Sequence, residues 1–383
     1  MSKLRILKVT AFYREYIRQS YRDGIVSSIS PYQTQFEALF GSALLPLHTI
    51  SRYLNAFPDL EVIDVIANAD SLQAKWAEEH QVAVASNKNV VWHQIRHYRP
   101  DIVFIHDWME WNSLFIQELR SSFPFIQKII CYHGGPLEDK RGTDFQAFDY
   151  VITASEALRS KYTAFGVQSH AVLHSFDPRV LDLLRDYRSQ VTDTFRRDAS
   201  QYDIVYCGSL FAGDSLHNER LKVITSLVRH GVSMKVFGLM NAEAKNALLD
   251  PQSDLYCPTL MELVEPPVFG LDMFAILSAS RTVFNCHIDV AESSAGNMRM
   301  FEATGVGACL FTDWKSNLPD LFDPDSDLIC YRNDEDAVMK SERIRSRAYD
   351  FEKIAKSGQA RTLAEHKLSD RASQLRDIIL QSV

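Results

Sequence analysis

The chain has 383 residues, of which 46% are apolar and 23% are charged. Single cores rarely grow beyond roughly 250 to 300 residues, so this length favours about two domains. The net charge of −8 argues against a nucleic-acid-binding protein, because such proteins carry a positive surface.

The spacing of the cysteines and the character of the N-terminal segment indicate the cellular compartment of the protein. The six cysteines lie far apart without a C-x-x-C pair, so we expect reduced core residues, with neither disulfides nor a zinc site. The N-terminal segment turns polar after about nine residues, too soon for a signal peptide. The longest apolar stretch, residues 38–50, is shorter than the roughly 20 residues of a spanning helix. These features predict a cytoplasmic protein and leave a peripheral membrane contact open.

Short apolar runs alternate with longer amphipathic stretches through most of the chain, as expected of βα units. The strands predicted in the first half are Leu4 to Val9, Glu61 to Ile66, Ile102 to His106, Lys128 to His133, Tyr150 to Thr153 and Ala171 to Leu173. Those predicted in the second half are Ile204 to Cys207, Met234 to Phe237, Thr282 to Asn285, Ala308 to Thr312 and Leu328 to Tyr331. The pattern predicts an α/β protein of two doubly wound, Rossmann-like domains that face a cleft.

Composition places the domain boundaries. We predict an N-terminal domain over residues 1–176 and a charged connector over 177–202, which begins after a Phe-Asp-Pro stop. A C-terminal domain over 203–349 follows. Apolar residues at helical spacing predict closing helices over 350–383, which return to the N-terminal domain.

One segment carries the clearest sign of a ligand site. The strand that ends at Asn285 is followed by a small-residue loop, Glu292 to Gly296, and a predicted short helix, Asn297 to Thr304. Another buried strand comes next. Open α/β sheets bind ligands at the carboxyl ends of their strands. The unpaired N–H groups and positive dipole of a helix start attract phosphate.

The motifs in this region resemble a known family. They are FN-x-H, N-x-R-x-FEA-x-G-x-G and TD-x-K-x-NL-x-x-LF, all between Phe284 and Phe322. They resemble the GT-B glycosyltransferases, specifically the group 1 or family-4-like enzymes and their spore-maturation-protein-like branch. The resemblance implies that the C-terminal half binds a nucleotide-sugar donor, that the N-terminal half binds the acceptor, and that sugar transfer needs no metal or other cofactor.

The resemblance assigns roles to the short helix. Glu302 matches the glutamate that accepts hydrogen bonds from the ribose hydroxyls, while a surface pair with Arg299 at i, i+3 is the structural alternative. Arg299 and Asn297, with the amides from Gly296 to Met298, are candidates for the diphosphate.

Further donor contacts are expected from two turns. Lys315 would add a positive charge near the leaving diphosphate, or would be a solvated lysine. Gly208 and Ser209 follow a strand and would offer backbone N–H groups to the same diphosphate, although a glycine after a strand is common.

The N-terminal half offers candidates for the reaction centre and for the acceptor. His133 ends a predicted strand and is the first catalytic candidate, with a structural role in the loop as the alternative. Asp107 would suit a general base in an inverting reaction, and His106 lies beside it. Tyr13, Arg14 and Arg18 belong to a predicted loop, residues 13–32, that would contact a glycan or lipid-linked acceptor.

The sequence therefore predicts a glycosyltransferase that moves a sugar from a nucleotide-diphosphate sugar to an acceptor hydroxyl. Many family-4 enzymes have a glutamate eight residues before the ribose glutamate, and this chain has Ser294 there. That departure leaves open a non-catalytic subunit that binds nucleotide sugars. A nucleotide-sugar epimerase of the same fold is the other alternative.

Overall fold

The computed structural model describes residues 3–135, 137, 142–213, 217–288 and 294–381. The chain divides into two compact units. The N-terminal unit comprises residues 1–173 and 368–383, and the C-terminal unit comprises residues 174–367.

The N-terminal unit contains a parallel sheet of six strands. These are β1 (Leu4–Thr10), β2 (Leu60–Ile66), β3 (Ile102–His106), β4 (Lys128–Tyr132), β5 (Tyr150–Thr153) and β6 (Ser169–Ala171). Their spatial order is β2-β1-β3-β4-β5-β6, so the direction of winding reverses between β1 and β3. The α-helices of this unit are Arg14–Arg22, Tyr32–Ala43, Ser51–Leu54, Asp70–Glu79, Asn87–Tyr98, Ser113–Ser122, Glu156–Ala164 and Leu368–Gln381.

Both faces of this sheet are buried, as expected of a doubly wound sheet whose strands are almost continuously apolar. Leu7 and Val9 of β1 face one core, and Ile6 faces the other. The second core includes Leu368 and Leu375. The C-terminal helix therefore belongs to the N-terminal unit because it covers this apolar face.

The C-terminal unit contains a second parallel sheet of six strands. These are β7 (Ile204–Cys207), β8 (Met234–Phe237), β9 (Val264–Glu265), β10 (Thr282–Asn285), β11 (Cys309–Asp313) and β12 (Ile329–Tyr331). The order β12-β11-β10-β7-β8-β9 is that of a Rossmann fold, with the reversal between β7 and β10. The α-helices are Arg179–Leu184, Gln190–Asp198, Asn218–Arg229, Ala242–Leu249, Pro258–Leu263, Gly270–Ala279, Met298–Gly305, Leu318–Leu321, Asp334–Arg345 and Phe351–Glu365.

Every predicted strand is present, with bounds that shift by at most two residues. The sequence missed β9, which has only two residues and lies at the sheet edge. The predicted core positions of the cysteines are confirmed, since all six are buried. In the described part of the chain, no helix combines the length and apolar character needed to cross a bilayer.

The units divide the chain differently from the predicted domains. Residues 177–202 form helices rather than a bare connector, and both Arg179–Leu184 and Gln190–Asp198 pack on Gly270–Ala279 in the C-terminal unit. Of the two closing helices, Phe351–Glu365 packs on Met298–Gly305 and stays with the C-terminal unit. Only the last helix joins the N-terminal unit.

The close approach of two strand ends in the C-terminal unit generates a test. A Cβ atom at Gly238 would lie 2.0 Å from the carbonyl oxygen of Gly208, a backbone atom that cannot rotate away. We expect Gly238→Ala to destabilise the C-terminal unit by about 1 to 3 kcal/mol, as overpacking does. Gly41→Ala is the control, because its Cβ would meet only the end of Arg52 at 4.0 Å. Thermal unfolding of both variants tests this prediction. Equal melting temperatures for Gly238→Ala and Gly41→Ala would contradict the predicted clash.

Candidate functional site

The reversal point of the C-terminal sheet brings two arginines together. Arg299 donates from Nε to the carbonyl oxygen of Cys207, at the end of β7, over 3.2 Å. Arg220 donates from Nη2 to the carbonyl oxygen of Cys286, just after β10, over 2.9 Å, and from Nη1 to Ser209. Two guanidinium groups therefore lie at the edge where doubly wound sheets bind ligands.

Glu302 is buried and paired with Arg299. Its Oε2 lies 2.8 Å from Nη1 of Arg299, and its side chain is only 3% exposed. Burial raises the pKa of Glu302, and the positive charge of Arg299 opposes that rise. Arg299 also contacts Sδ of Met273 at 3.0 Å. The i, i+3 pair that the sequence predicted as an alternative is therefore present, but it lies in the interior rather than on the surface.

Side chains from the strand ends hold the loop before this helix. Asn317 accepts from the Ala295 amide and donates to the Ala295 carbonyl oxygen, over 2.6 and 3.1 Å. The Gly296 amide donates to Nε2 of His287 over 3.2 Å. Asn297 caps the helix by accepting from the Met300 amide and donates to Asn285 Oδ1 over 2.8 Å. The loop is therefore shaped by the protein itself before any ligand binds.

Two backbone amides that the sequence predicts for phosphate binding are instead hydrogen-bonded within the protein. The Gly296 amide is committed to His287, and the Gly208 amide donates to the carbonyl oxygen of Phe237 over 3.0 Å. The N–H group of Met298, in the first turn, has no intrahelical acceptor and points toward the helix start. Two residues of the predicted loop, Glu292 and Ser293, lie outside the described residues.

Lys315 belongs to the same network. Its Nζ lies 3.5 Å from Oδ2 of Asp313, while Oδ1 of that carboxylate lies 2.7 Å from Nδ1 of His287. Burial opposes ionisation of Asp313, but His287 and Lys315 outweigh it and hold the pKa of Asp313 below its usual value. A partly buried ammonium group is thus held beside the loop, since the Lys315 side chain is 15% exposed.

A second polar cluster lies at the reversal point of the N-terminal sheet. His106 ends β3, stacks on Tyr132 with ring centroids 4.4 Å apart, and lies 3.3 Å from Oγ1 of Thr10 through Nδ1. His48 meets the His106 ring edge-on at 4.4 Å. Its Nε2 lies 3.7 Å from Oδ2 of Asp107. The predicted neighbours His106 and Asp107 are thus joined by a histidine that the sequence did not indicate.

Asp107 has an unusual backbone and an unusual acidity. Its φ of 53° is left-handed, which is uncommon for a residue with a side chain and frequent at functional sites. Burial raises the pKa of Asp107 to about 6, against the opposing effects of the Gly134 amide and Lys8. Lys8 is buried, donates to the His48 carbonyl oxygen over 2.5 Å, and lies 3.2 Å from Asp64 Oδ1. This arrangement suits a carboxylate that exchanges a proton near neutral pH.

The same cluster has the donor set of a metal site. Ligand atoms of His48, His106 and Asp107 all lie within 4.8 Å of one another, and no other such group occurs among the described residues. Zinc-like cations accept two imidazoles and a carboxylate. The ammonium group of Lys8 interacts with Asp107 and would repel a cation bound there.

His133 is held inside the N-terminal unit. Its Nδ1 lies 2.5 Å from the Tyr162 hydroxyl, and the residue is only 5% exposed. A Cβ atom at Gly135 would lie 3.3 Å from Nε2 of His133, so the following backbone passes over the ring. This geometry matches the structural alternative for His133, whereas Asp107 has the perturbed acidity of a proton acceptor.

The predicted acceptor loop is partly a helix. Residues Arg14–Arg22 are helical because Tyr16 and Ile17 pack inward, and the Tyr16 hydroxyl donates to the Leu39 carbonyl oxygen over 2.5 Å. Tyr13, Arg14 and Arg18 are exposed on or beside this helix. Arg14 and Arg18 therefore lie on a helix rather than on the predicted loop, and the acceptor role of the three residues stays a prediction.

Comparisons with known proteins bear on this geometry. Residues 224–377 match the family model described as glycosyl transferase-like. HepE from Anabaena, solved in complex with UDP-glucose, has a TM-score of 0.62 at 11% identity and covers 99% of this chain and 100% of its own. A glycosyltransferase from Rickettsia africae has a TM-score of 0.61 at 10% identity, with coverages of 100% and 99%. Sucrose-phosphate synthase from Thermosynechococcus elongatus has a TM-score of 0.55 at 11% identity, with 99% of both chains covered.

The chain has the GT-B fold and carries a glycosyl transferase-like region. The family match covers most of the C-terminal unit, including the paired Arg299 and Glu302, while the structural likeness spans both units and concerns the fold. No curated protein sequence matches the chain. Membership of the spore-maturation-protein-like branch stays a prediction.

The sequence alone left several residues of this site without a role. Asn285 and His287 are part of the FN-x-H motif, and Arg220 lies outside the three motifs, but the partners of all three residues lie farther along the chain. Asn317 carried no signal beyond its place in the motif TD-x-K-x-NL. Such contacts become visible only when the strand ends are brought side by side.

The buried pair predicts a pH-dependent defect. Removing Arg299 leaves the Glu302 carboxylate without its counter-charge, which costs about 3 kcal/mol or more. Because burial raises the pKa of Glu302, the native state then takes up a proton more readily than the unfolded state. We expect Arg299→Met to be strongly destabilised at about pH 8 and much less so at about pH 5.

Thermal unfolding at both pH values measures this. Arg299→Met with Glu302→Gln should recover part of the stability at about pH 8, because no charge is then buried. Arg345→Met, at an exposed position of the same unit, is the control. An equal deficit at both pH values would show that Glu302 is not the cause.

Proposed function

We propose that this protein is a glycosyltransferase that moves a sugar from a nucleotide-diphosphate sugar to an acceptor hydroxyl of a glycan, glycolipid or protein glycan, without a metal ion. One observation carries the proposal. The reversal point of a Rossmann-ordered sheet presents Arg220, Arg299 and a helix start, with the Glu302 carboxylate behind them. The complex of HepE with UDP-glucose, a protein of the same fold, supports this class of donor.

The donor would bind in two parts. The N–H group of Met298 and the ammonium group of Lys315 would face the diphosphate, whose negative charge suits a helix start. Glu302 would accept hydrogen bonds from the ribose hydroxyls, as a carboxylate does from a diol. Because Arg299 already donates to Cys207 and pairs with Glu302, we assign it the task of orienting that carboxylate.

Charge balance supports transfer without a metal. The departing nucleoside diphosphate gains negative charge, which fixed positive groups stabilise in the transition state. Lys315, Arg220 and the helix start supply such groups in the C-terminal unit. In this proposal, these groups would take the role of a bound cation.

The acceptor side would use the cluster around Asp107. Asp107 would accept the proton of the attacking hydroxyl, and His48 and His106 would hold its carboxylate in place. Tyr13, Arg14 and Arg18 would contact the acceptor through an aromatic face and positive charges. His133 would support the loop beside this cluster.

Donor binding is tested by thermal shift with UDP, GDP, dTDP and their common sugars. A ligand at about 100 times its Kd stabilises the native state by about 2.7 kcal/mol. We expect one nucleotide class to raise the melting temperature, and Glu302→Gln to weaken that binding about tenfold or more, because the ribose loses a charged acceptor and one of its two acceptor oxygens. Glu262→Gln, an exposed glutamate of the same unit, should bind like the parent. Unchanged affinity in Glu302→Gln would refute the ribose role.

Turnover is tested in the presence of EDTA over a panel of acceptors. With a pKa of about 6, Asp107 is ionised above that pH and able to accept a proton, so kcat/KM should fall as the pH drops below about 6. Asp107→Asn should lower kcat by about 10² to 10⁴. The exposed neighbour variant Glu110→Gln should leave kcat unchanged.

The results of these experiments distinguish the proposed transferase from the two alternative functions. Donor conversion without any acceptor would indicate an epimerase. Donor binding without turnover over the whole panel would indicate the non-catalytic subunit that Ser294 leaves open. Loss of turnover in EDTA would contradict metal independence. The cluster of His48, His106 and Asp107 would then be the first candidate metal site to examine.

A further inference from the structure

We propose that His287 is a positioning residue for donor binding: its neutral imidazole, with the proton on Nδ1, holds the Gly296 amide and thereby sets the start of the helix Met298–Gly305. The proposal rests on the donor role given above to this helix. It concerns a residue that has no assigned function in that role.

The contacts of His287 specify its tautomer. Nδ1 lies 2.7 Å from Oδ1 of Asp313, and the backbone amide of His287 donates to the same oxygen over 3.0 Å. An ionised carboxylate only accepts hydrogen bonds, so Nδ1 carries the proton. The pKa of Asp313 is held low by His287 and Lys315 against the effect of burial, which keeps that carboxylate ionised. Nε2 receives the Gly296 N–H over 3.2 Å and must therefore be bare.

The bond to Gly296 acts on a glycine whose backbone conformation is unusual. Gly296 has a φ of 134°, which only glycine adopts without strain. On either side, Asn317 holds Ala295 and Asn285 holds Asn297. His287 is thus the middle of three contacts that place the first turn, and the N–H group of Met298 follows directly from it.

Protonation of His287 would break this contact. A second proton on Nε2 would face the Gly296 N–H, and two donors cannot bond to each other. Asp313, at the end of β11, is the ionisable group in contact with the ring, and Lys315 pairs with that carboxylate. Cys286 precedes His287 in the chain, and Arg220 and Tyr331 donate to the backbone of Cys286 and Asn285. Acidification should therefore release the loop and weaken donor binding, while neutral His287 supports it.

The tautomer is tested on the protein alone. Long-range ¹⁵N–¹H correlation spectra of the histidine side chains at about pH 7.5 distinguish the two neutral tautomers. The signal that disappears in His287→Gln belongs to His287. We expect a protonated Nδ1 and a bare Nε2. A protonated Nε2 at this pH overturns the proposal, whatever the outcome of the donor experiments.

The effect on binding is tested with UDP-glucose, the ligand of HepE. The diphosphate of a sugar nucleotide has no free terminal phosphate, whereas a terminal phosphate titrates near pH 6 and would confuse the result. We expect protonation of the ring to lower the affinity of the parent at least about tenfold, so the affinity is compared between about pH 7.5 and about pH 5.5. His287→Gln keeps an acceptor for Gly296 without a titrating ring, so its affinity should stay within about threefold of the parent at pH 7.5 and change little with pH.

The controls separate the possible failures. His287→Ala should bind weakly at both pH values, and its melting temperature shows whether it folds. His230→Gln removes an exposed histidine of the same unit and should retain the pH dependence of the parent. If His287→Gln retains that dependence, or His287→Ala binds like the parent, the proposal is wrong. Failure of the parent to bind UDP-glucose would count against the proposed donor instead, and the tautomer measurement would still decide the role of His287.

Discussion

The buried ion pair between Arg299 and Glu302 is the interaction on which the candidate donor site depends. It joins the helix Met298–Gly305 to the end of β7 through Cys207 and to Met273 of a neighbouring helix. Burying two charges costs free energy that their attraction only partly offsets, so such a pair is a weak way to stabilise a fold. Its place at the reversal point of the sheet is better explained by a ligand that needs an ionised carboxylate there.

The two units use the same topology for different chemistry. In each, the winding reverses beside a central strand and leaves polar groups at the carboxyl edge. In the C-terminal unit these are guanidinium groups, an ammonium group and a helix start, which suit phosphates. In the N-terminal unit they are histidines and Asp107, which suit proton exchange. This division agrees with the roles of donor and acceptor units in the proposed function.

The loop before the short helix shows how the fold prepares a site. Ala295, Gly296 and Asn297 are each held by a side chain from a strand end or the turn after it. Their hydrogen bonds are thus made before a ligand arrives, and the helix start keeps its positive dipole end for that ligand. A preorganised loop binds with less loss of conformational freedom than a loop that orders on binding.

The sequence by itself determined the strands other than β9 and the two α/β halves, and it made Glu302 a candidate, because buried parallel strands are continuous apolar runs and the motif around Glu302 is local. Tertiary structure decided the rest. His48 reaches Asp107, and Arg220 reaches Cys286, across more than fifty residues of chain. The burial of the Arg299 pair, the committed amides of Gly208 and Gly296, and the helix at Arg14–Arg22 also follow from packing. Hydrogen-bond partners depend on which strand ends become neighbours, and no local pattern of residues contains that information.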